Sequence, residues 1–237
     1  MFSSPRQVTD PLAYLAQTHV VGGDTSESSV LSVACTAVGT VPEDRVITRL
    51  GASPGDTVFA TGRLGLGAAL AAVQLLNLPE SLMGEGDFRP SLRLAEGRAL
   101  RGCAGCCMDT SDGLLATLDQ LARLNDVAIL VDEDPYGLLH PIAERLRSTL
   151  SLTPLPILAA AHGEFELVFT IAKSRQSCFR DLCSANGFAP VRLGTVESGN
   201  GVHVSGRCID TTGIQNLGFV AGADPQQYFE QLVALCA

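Results

Sequence analysis

MDTSDGLLATLDQLARLN, residues 108–125, is the stretch on which the fold turns. Met108 and Asp109 read as the end of a short extended segment, and Ser111-Asp112-Gly113 as a crossing. Leu114, Leu115, Leu118, Leu121 and Leu124 then recur at helical spacing, with Asn125 near the stop. Val127–Val131 follows as a β-branched run typical of a buried strand. Strand end, crossing, helix and strand within 24 residues describe a helix laid on a sheet.

Working outward, Thr57–Thr61 reads as a strand behind the Pro54-Gly55-Asp56 turn, and Ala68–Leu78 as a helix. Ser91–Leu100 reads as a second helix and Leu138–Leu150 as another. Glu164–Ile171 alternates as a strand, with Phe165, Leu167, Phe169 and Ile171 on one face. Ser174–Ala185 is expected to be helical, Pro190–Val196 and Val202–Val204 to be strands. Asp224-Pro225-Gln226-Gln227 joins a cap, a first-turn proline and an N3 glutamine, so a final helix should run to Cys236. Near the start, Leu12–Gln17 has a helical pattern, and Leu31, Val33, Cys35 and Ala37 alternate as a strand. Strands and helices interspersed without strict alternation give an α/β class with a layered α+β sheet.

The chain has 237 residues, 46% of them apolar and 17% charged. With a mean hydropathy of +0.24 it is too apolar to be disordered. Sixteen basic against twenty-five acidic residues give −9. That balance argues against nucleic-acid partners bound through phosphate neutralisation. Lys173 is the sole lysine, which excludes a GxxxxGK phosphate loop. The longest apolar stretch, Leu64–Leu78, is interrupted by glycines and Gln74 and falls short of the ~20 residues a membrane span needs. MFSSPRQVTD carries no apolar signal core, so a soluble, cytoplasmic protein with no membrane partner is expected. Among its eight cysteines Cys103 and Cys106 form a CxxC pair, but the second pair of a structural zinc site is lacking, and the thiols are expected to be reduced, behaving as small hydrophobes.

Three segments can carry chemistry. Gly22-Gly23-Asp24-Thr25 joins glycines, which let backbone N–H groups approach a ligand, to a carboxylate able to hold Mg²⁺; a plain turn is the alternative. Asp109-Thr110-Ser111-Asp112-Gly113 sets two carboxylates three residues apart where a strand feeds a helix. Hard cations want clustered carboxylates and helix N-termini favour phosphate, although Ser111 or Asp112 can also simply cap the helix. Gly62-x-x-Gly65-x-Gly67 has the wrong spacing for a dinucleotide fingerprint, and close packing of helix on strand is expected to account for it.

Taken in order, GGDT at 22–25, ITRLGASPGDTVFATGRLG at 47–65, MDTSDGL at 108–114 and GEFELVFT at 163–170 resemble the thiamine-monophosphate kinase family, in the aminoimidazole ribonucleotide (AIR) synthetase superfamily. The resemblance runs from about residue 10 to about 220. It implies ATP- and Mg²⁺-dependent phosphoryl transfer to a small phosphate monoester, with Asp24, Asp109 and Asp112 as metal ligands. Gly23, Arg49 and Ser111 would touch nucleotide, and Glu164 and Phe219 the substrate. By the same resemblance, residues 1–45 are a remnant of the family's N-terminal domain and 46–237 its C-terminal domain. A homodimer, or a complex with a separate N-terminal chain, built around Ser29–Val41, is then expected. One departure is Ala161-His162-Gly163-Glu164-Phe165-Glu166-Leu167, where Gly163 occupies the family's substrate-facing acid position; His162 is a replacement contact or a turn residue. Another ATP-dependent enzyme of the superfamily, of cyclo-ligase type, and a non-catalytic nucleotide-binding module are the competing readings.

Overall fold

The computed structural model describes residues 16–83, 90–217 and 224–236. The chain divides into two units, Met1–Glu43 and Asp44–Ala237. In the first, residues 18–42 form neither helix nor strand. The strand expected at Leu31, Val33, Cys35 and Ala37 is therefore absent: those residues pair with no strand among the described residues, and all four are exposed. Alternation supplies a face, but a strand also needs a partner for its N–H and C=O groups. Of the helical pattern at 12–17, all but the last two residues lie outside the described residues, and Gln17 has a positive φ in a turn.

The second unit is a mixed sheet over which helices pack. In chain order its elements are β1 (Thr57–Ala60), α1 (Leu66–Leu75), α2 (Leu94–Ala99), β2 (Cys107–Asp109), α3 (Leu114–Asn125) and β3 (Ala128–Val131). Then come α4 (Pro135–Leu138), α5 (Pro141–Thr149), α6 (Pro154–Ala159), β4 (Leu167–Ile171), α7 (Gln176–Asn186) and β5 (Val191–Glu197). β6 (Gly201–Val204), β7 (Arg207–Cys208), α8 (Thr211–Asn216) and α9 (Pro225–Cys236) close the order. The strand order is β2-β4-β1-β5-β3-β6-β7, and only β3–β6 is parallel. This is the layered α+β class that the mixed pattern predicts.

α3 lies across β2, β3 and β6 with its leucine stripe inward; Leu114, Leu115, Leu118 and Leu121 are each at most 2% exposed. At ~1.5–3 kcal/mol gross per buried leucine, this stripe is what holds the helix to the sheet. It meets Ile129, Val131, Val202 and Val204 in the larger core, to which α1, α6 and α9 contribute. Residues on the other face of β1 and β4 are covered by α7: Phe59, Phe169 and Phe179 stack within 5.0–5.9 Å of one another, with Ile171 and Cys103 beside them. The thiols of Cys103, Cys106 and Cys236 are buried among apolar side chains, as small hydrophobes would be.

Several elements differ from the sequence reading for local reasons. The helix expected over 138–150 is split at Leu139-His140 because Pro141 starts a new helix, whose first amide, Ile142 N–H, is received by His140 Nδ1 at 3.3 Å. The helix expected from Ser91 begins only at Leu94, since the Arg93 side chain is drawn into an ion-pair cluster. The strand expected from Glu164 begins at Leu167, because Phe165 adopts φ +61°. Helix α6, which contains two prolines, and helix α8 are not visible as patterns in the sequence. The glycines near 62–67 do serve close packing. A Cβ on Gly67 would sit 2.1 Å from the His162 carbonyl oxygen, and one on Gly62 would press on the Arg93 and Glu166 side chains.

Candidate functional site

The crossing from β2 to α3 is held from three sides. Thr110 N–H donates to the Glu166 carbonyl at 2.9 Å, and Glu166 N–H donates back to Thr110 Oγ1 at 3.1 Å. Thr117 Oγ1 donates to the Asp109 carbonyl at 2.9 Å, and Gly163 N–H to the Ser111 carbonyl at 3.1 Å. Gly113 sits at φ +89° with the Ala160 and Ala159 carbonyls where a Cβ would have to go, at 2.8 and 3.0 Å. Only glycine admits both that conformation and that approach of α6. The backbone around Asp109, Ser111 and Asp112 is thus fixed while their side chains are left to do other things.

Asp109 is half-buried, and among the described residues Oδ2 receives only the Ser111 amide, at 3.3 Å. Asp112 is exposed and has no hydrogen-bond or ion-pair partner among the described residues. Ser111 is half-buried between them. Two carboxylates without a cationic partner, on a crossing this well pinned, are an oxygen donor set suited to a hard divalent cation. No group of three or more His, Cys, Asp or Glu side chains able to hold a metal is formed among the described residues. Asp24 and Gly23 belong to the first unit, where both are exposed.

Ala116 and Gln120, four apart, form a stripe on one side of α3 and, with Asp112 from the crossing before the helix, line a cavity of about 500 Å³. His162, Gln215 and Tyr228 supply its other polar groups. Arg49 stands at the edge of this stripe: its Nη1 donates to Gln120 Oε1 at 2.5 Å. The Arg49 backbone is held by Asn125, whose Nδ2 donates to the Arg49 carbonyl at 2.9 Å. Asp109, Ser111 and Asp112 thus sit on the crossing before α3, while Arg49 meets the helix further along at Gln120, which lines the same cavity as Asp112 and which the sequence reading did not single out. Its spacing of four from Ala116 on the helix was the available signal.

His162 is a wall of the cavity as well as a turn residue. Its Nε2 lies 3.2 Å from the Tyr228 hydroxyl, and burial holds its pKa below the usual imidazole value. Gln215 is positioned from beneath by buried Asp119, which accepts from Gln215 Nε2 at 2.8 Å, Thr211 Oγ1 at 2.7 Å and Arg123 Nε at 2.7 Å. Burial alone would raise the Asp119 carboxyl; these donors outweigh it and hold the pKa below the ordinary value.

Of the two acids in the GEFEL segment, Glu166 is structural. Arg93 grips it as a fork, Nε to Oε2 at 2.8 Å and Nη2 to Oε1 at 2.7 Å, and Thr61 Oγ1 donates at 2.5 Å. Glu164 Oε1 receives Leu66 N–H at 2.8 Å at the foot of α1 and does not line the cavity. Desolvation pushes its carboxyl up to about 7 against the pull of the Gly65 and Leu66 amides. Phe219 lies outside the described residues.

No family model matches the chain. Thiamine-monophosphate kinase from Pyrococcus horikoshii is 34% identical over 187 residues, covering 78% of this chain and 56% of that protein. Among solved structures, AaThiL complexed with AMPPCP and TMP is 26% identical with a TM-score of 0.54, covering 70% of this chain and 52% of that one. The Escherichia coli hydrogenase maturation protein HypE shares the fold at a TM-score of 0.61 and 19% identity, over 81% of this chain and 57% of that one. The chain spans about half the length of the curated relatives it matches.

Proposed function

From a chain that is a relative of the thiamine-monophosphate kinases, we propose ATP- and Mg²⁺-dependent phosphoryl transfer onto a small phosphate monoester, thiamine phosphate first among candidates. The observation that supports this reading is the pinned β2–α3 crossing, with two carboxylates that meet no cationic partner among the described residues. Asp109 and Asp112 are the residues of the second unit that would hold Mg²⁺. The ion would neutralise phosphate charge, the main requirement of a reaction with little covalent work for the protein. Arg49 would meet phosphate oxygens as a fork, and the Ser111 hydroxyl would add a hydrogen bond. The half-polar cavity beside Asp112 would take the acceptor, with His162, Gln215 and Tyr228 as neutral contacts.

In this proposal residues 1–45 correspond to the end of the family's N-terminal domain and 46–237 to its C-terminal domain. The exposed apolar residues Val30, Leu31, Val33 and Val38 would be covered by a second copy or by a separate N-terminal chain, in a soluble cytoplasmic assembly. Among the described residues no helix is long and apolar enough to cross a membrane. The test is formation of thiamine diphosphate from thiamine phosphate and ATP, with Mg²⁺ and with a chelator. Product that depends on Mg²⁺ supports the reading. ATP consumption with other phosphate monoesters but none with thiamine phosphate would move the substrate, and no turnover with any would remove the activity.

A further inference from the structure

The side chain of Asn125 makes more polar contacts than a helix stop requires. Its Oδ1 receives Gly51 N–H at 2.7 Å and Ala52 N–H at 3.1 Å; its Nδ2 donates to the Arg49 carbonyl at 2.9 Å and to Leu121 O at 2.8 Å. Three of these four bonds reach the loop 49–52, more than seventy residues away in sequence. That loop is otherwise exposed at Arg49, Leu50 and Gly51, and Gly51 adopts φ +118°. An asparagine is the side chain that can do this, since it presents an acceptor to two amides and a donor to a carbonyl at once. The consequence falls on Arg49, whose guanidinium is set on Gln120, five residues before Asn125 on the same helix.

We infer that Asn125 is a positioning residue for Arg49, fixing the loop against the end of α3 so that the guanidinium is presented at Gln120, on the rim of the cavity that Gln120 lines. The inference rests on the nucleotide reading of Arg49 made above. With the loop released, the long arginine side chain must be ordered when ligand arrives, and the cost of that ordering appears as lost affinity. Asn125 touches no ligand; its whole effect passes through position 49.

The test is a double-mutant cycle on Mg-ATP affinity in the full chain, with hydrogen exchange read alongside. Asn125→Ala should weaken binding about three- to tenfold while Arg49 is present, and by less than about twofold in an Arg49→Ala background. The Gly51 and Ala52 amides should lose protection in Asn125→Ala, with the Leu114–Leu121 amides unchanged. Asn125→Asp retains the acceptor oxygen and should keep those two amides protected. Equal losses in both backgrounds, or unchanged affinity in Asn125→Ala, would overturn the inference while leaving the role of Arg49 standing. If Arg49→Ala itself leaves affinity unchanged, the nucleotide reading of Arg49 fails and the positioning role falls with it.

Discussion

Glu164→Gln should change how stability depends on pH, and the sign follows from where the carboxylate sits. Burial at the foot of α1 raises its pKa from about 4.5 to about 7. Between those values the folded chain holds a proton that the unfolded chain has released. The contribution of Glu164 is therefore most favourable below about 4.5, declines as pH rises to about 7, and is flat above that. At ~1.4 kcal/mol per unit the full shift would be worth ~3.5 kcal/mol; the residue keeps some contact with water, so about 2 kcal/mol is the expected size. Glutamine keeps an oxygen for the Leu66 amide and never ionises. In urea titrations from pH 4.5 to 8.5, the two proteins should match near pH 4.5. The variant should then become the more stable by about 2 kcal/mol above pH 7.5, at unchanged m-value. His140 and His162, whose pKa values burial lowers, contribute with the opposite slope below about 6.5, but equally to both proteins, so the difference isolates Glu164. A difference between the proteins that does not vary with pH would refute the placement of this carboxylate.

Asp112→Asn should abolish Mg²⁺-dependent nucleotide binding and leave the melting temperature within about 2 °C, because the side chain is exposed and unpartnered; calorimetry and thermal melts check this. Gly113→Ala should destabilise by about 2–4 kcal/mol in denaturant titrations, since the new Cβ meets two carbonyls at a positive φ. Gly55→Ala, also at positive φ but with open space around it, should cost less. Asp119→Asn should flatten the acid limb of the stability curve. A depressed carboxyl contributes above its unfolded pKa, and that contribution is lost as pH falls through the folded value.

How much of this was legible beforehand depends on whether a feature is local. The leucine stripe of α3 and the Met108–Gly113 crossing are local, so both read directly from spacing, and the helix was found to Asn125. The Leu31–Ala37 alternation is equally clear in the sequence, yet it forms no strand, because a ladder needs a partner that no pattern within the segment supplies. Helix α6 escaped because Pro154 and Pro156 look like breakers, although proline fits the first helical turn. In the candidate site, Asp109 and Asp112 announced themselves as paired carboxylates. His162 was already in view as a replacement contact or a turn residue, whereas Gln120, Gln215 and Tyr228 were not, because only the tertiary packing of separate helices brings them to one cavity. Asn125 was legible as a helix end and illegible as a clamp, since its partners lie more than seventy residues away.

The central claim is that the β2–α3 crossing and Arg49 hold a Mg-nucleotide. Isothermal calorimetry of ATP against the full chain, with Mg²⁺ and with chelator, tests it directly, repeated for Asp109→Asn, Asp112→Asn and Arg49→Ala. The account predicts saturable binding with Mg²⁺ that weakens at least about tenfold without the ion and in each variant. Binding of equal strength with chelator, or in all three correctly folded variants, would contradict it.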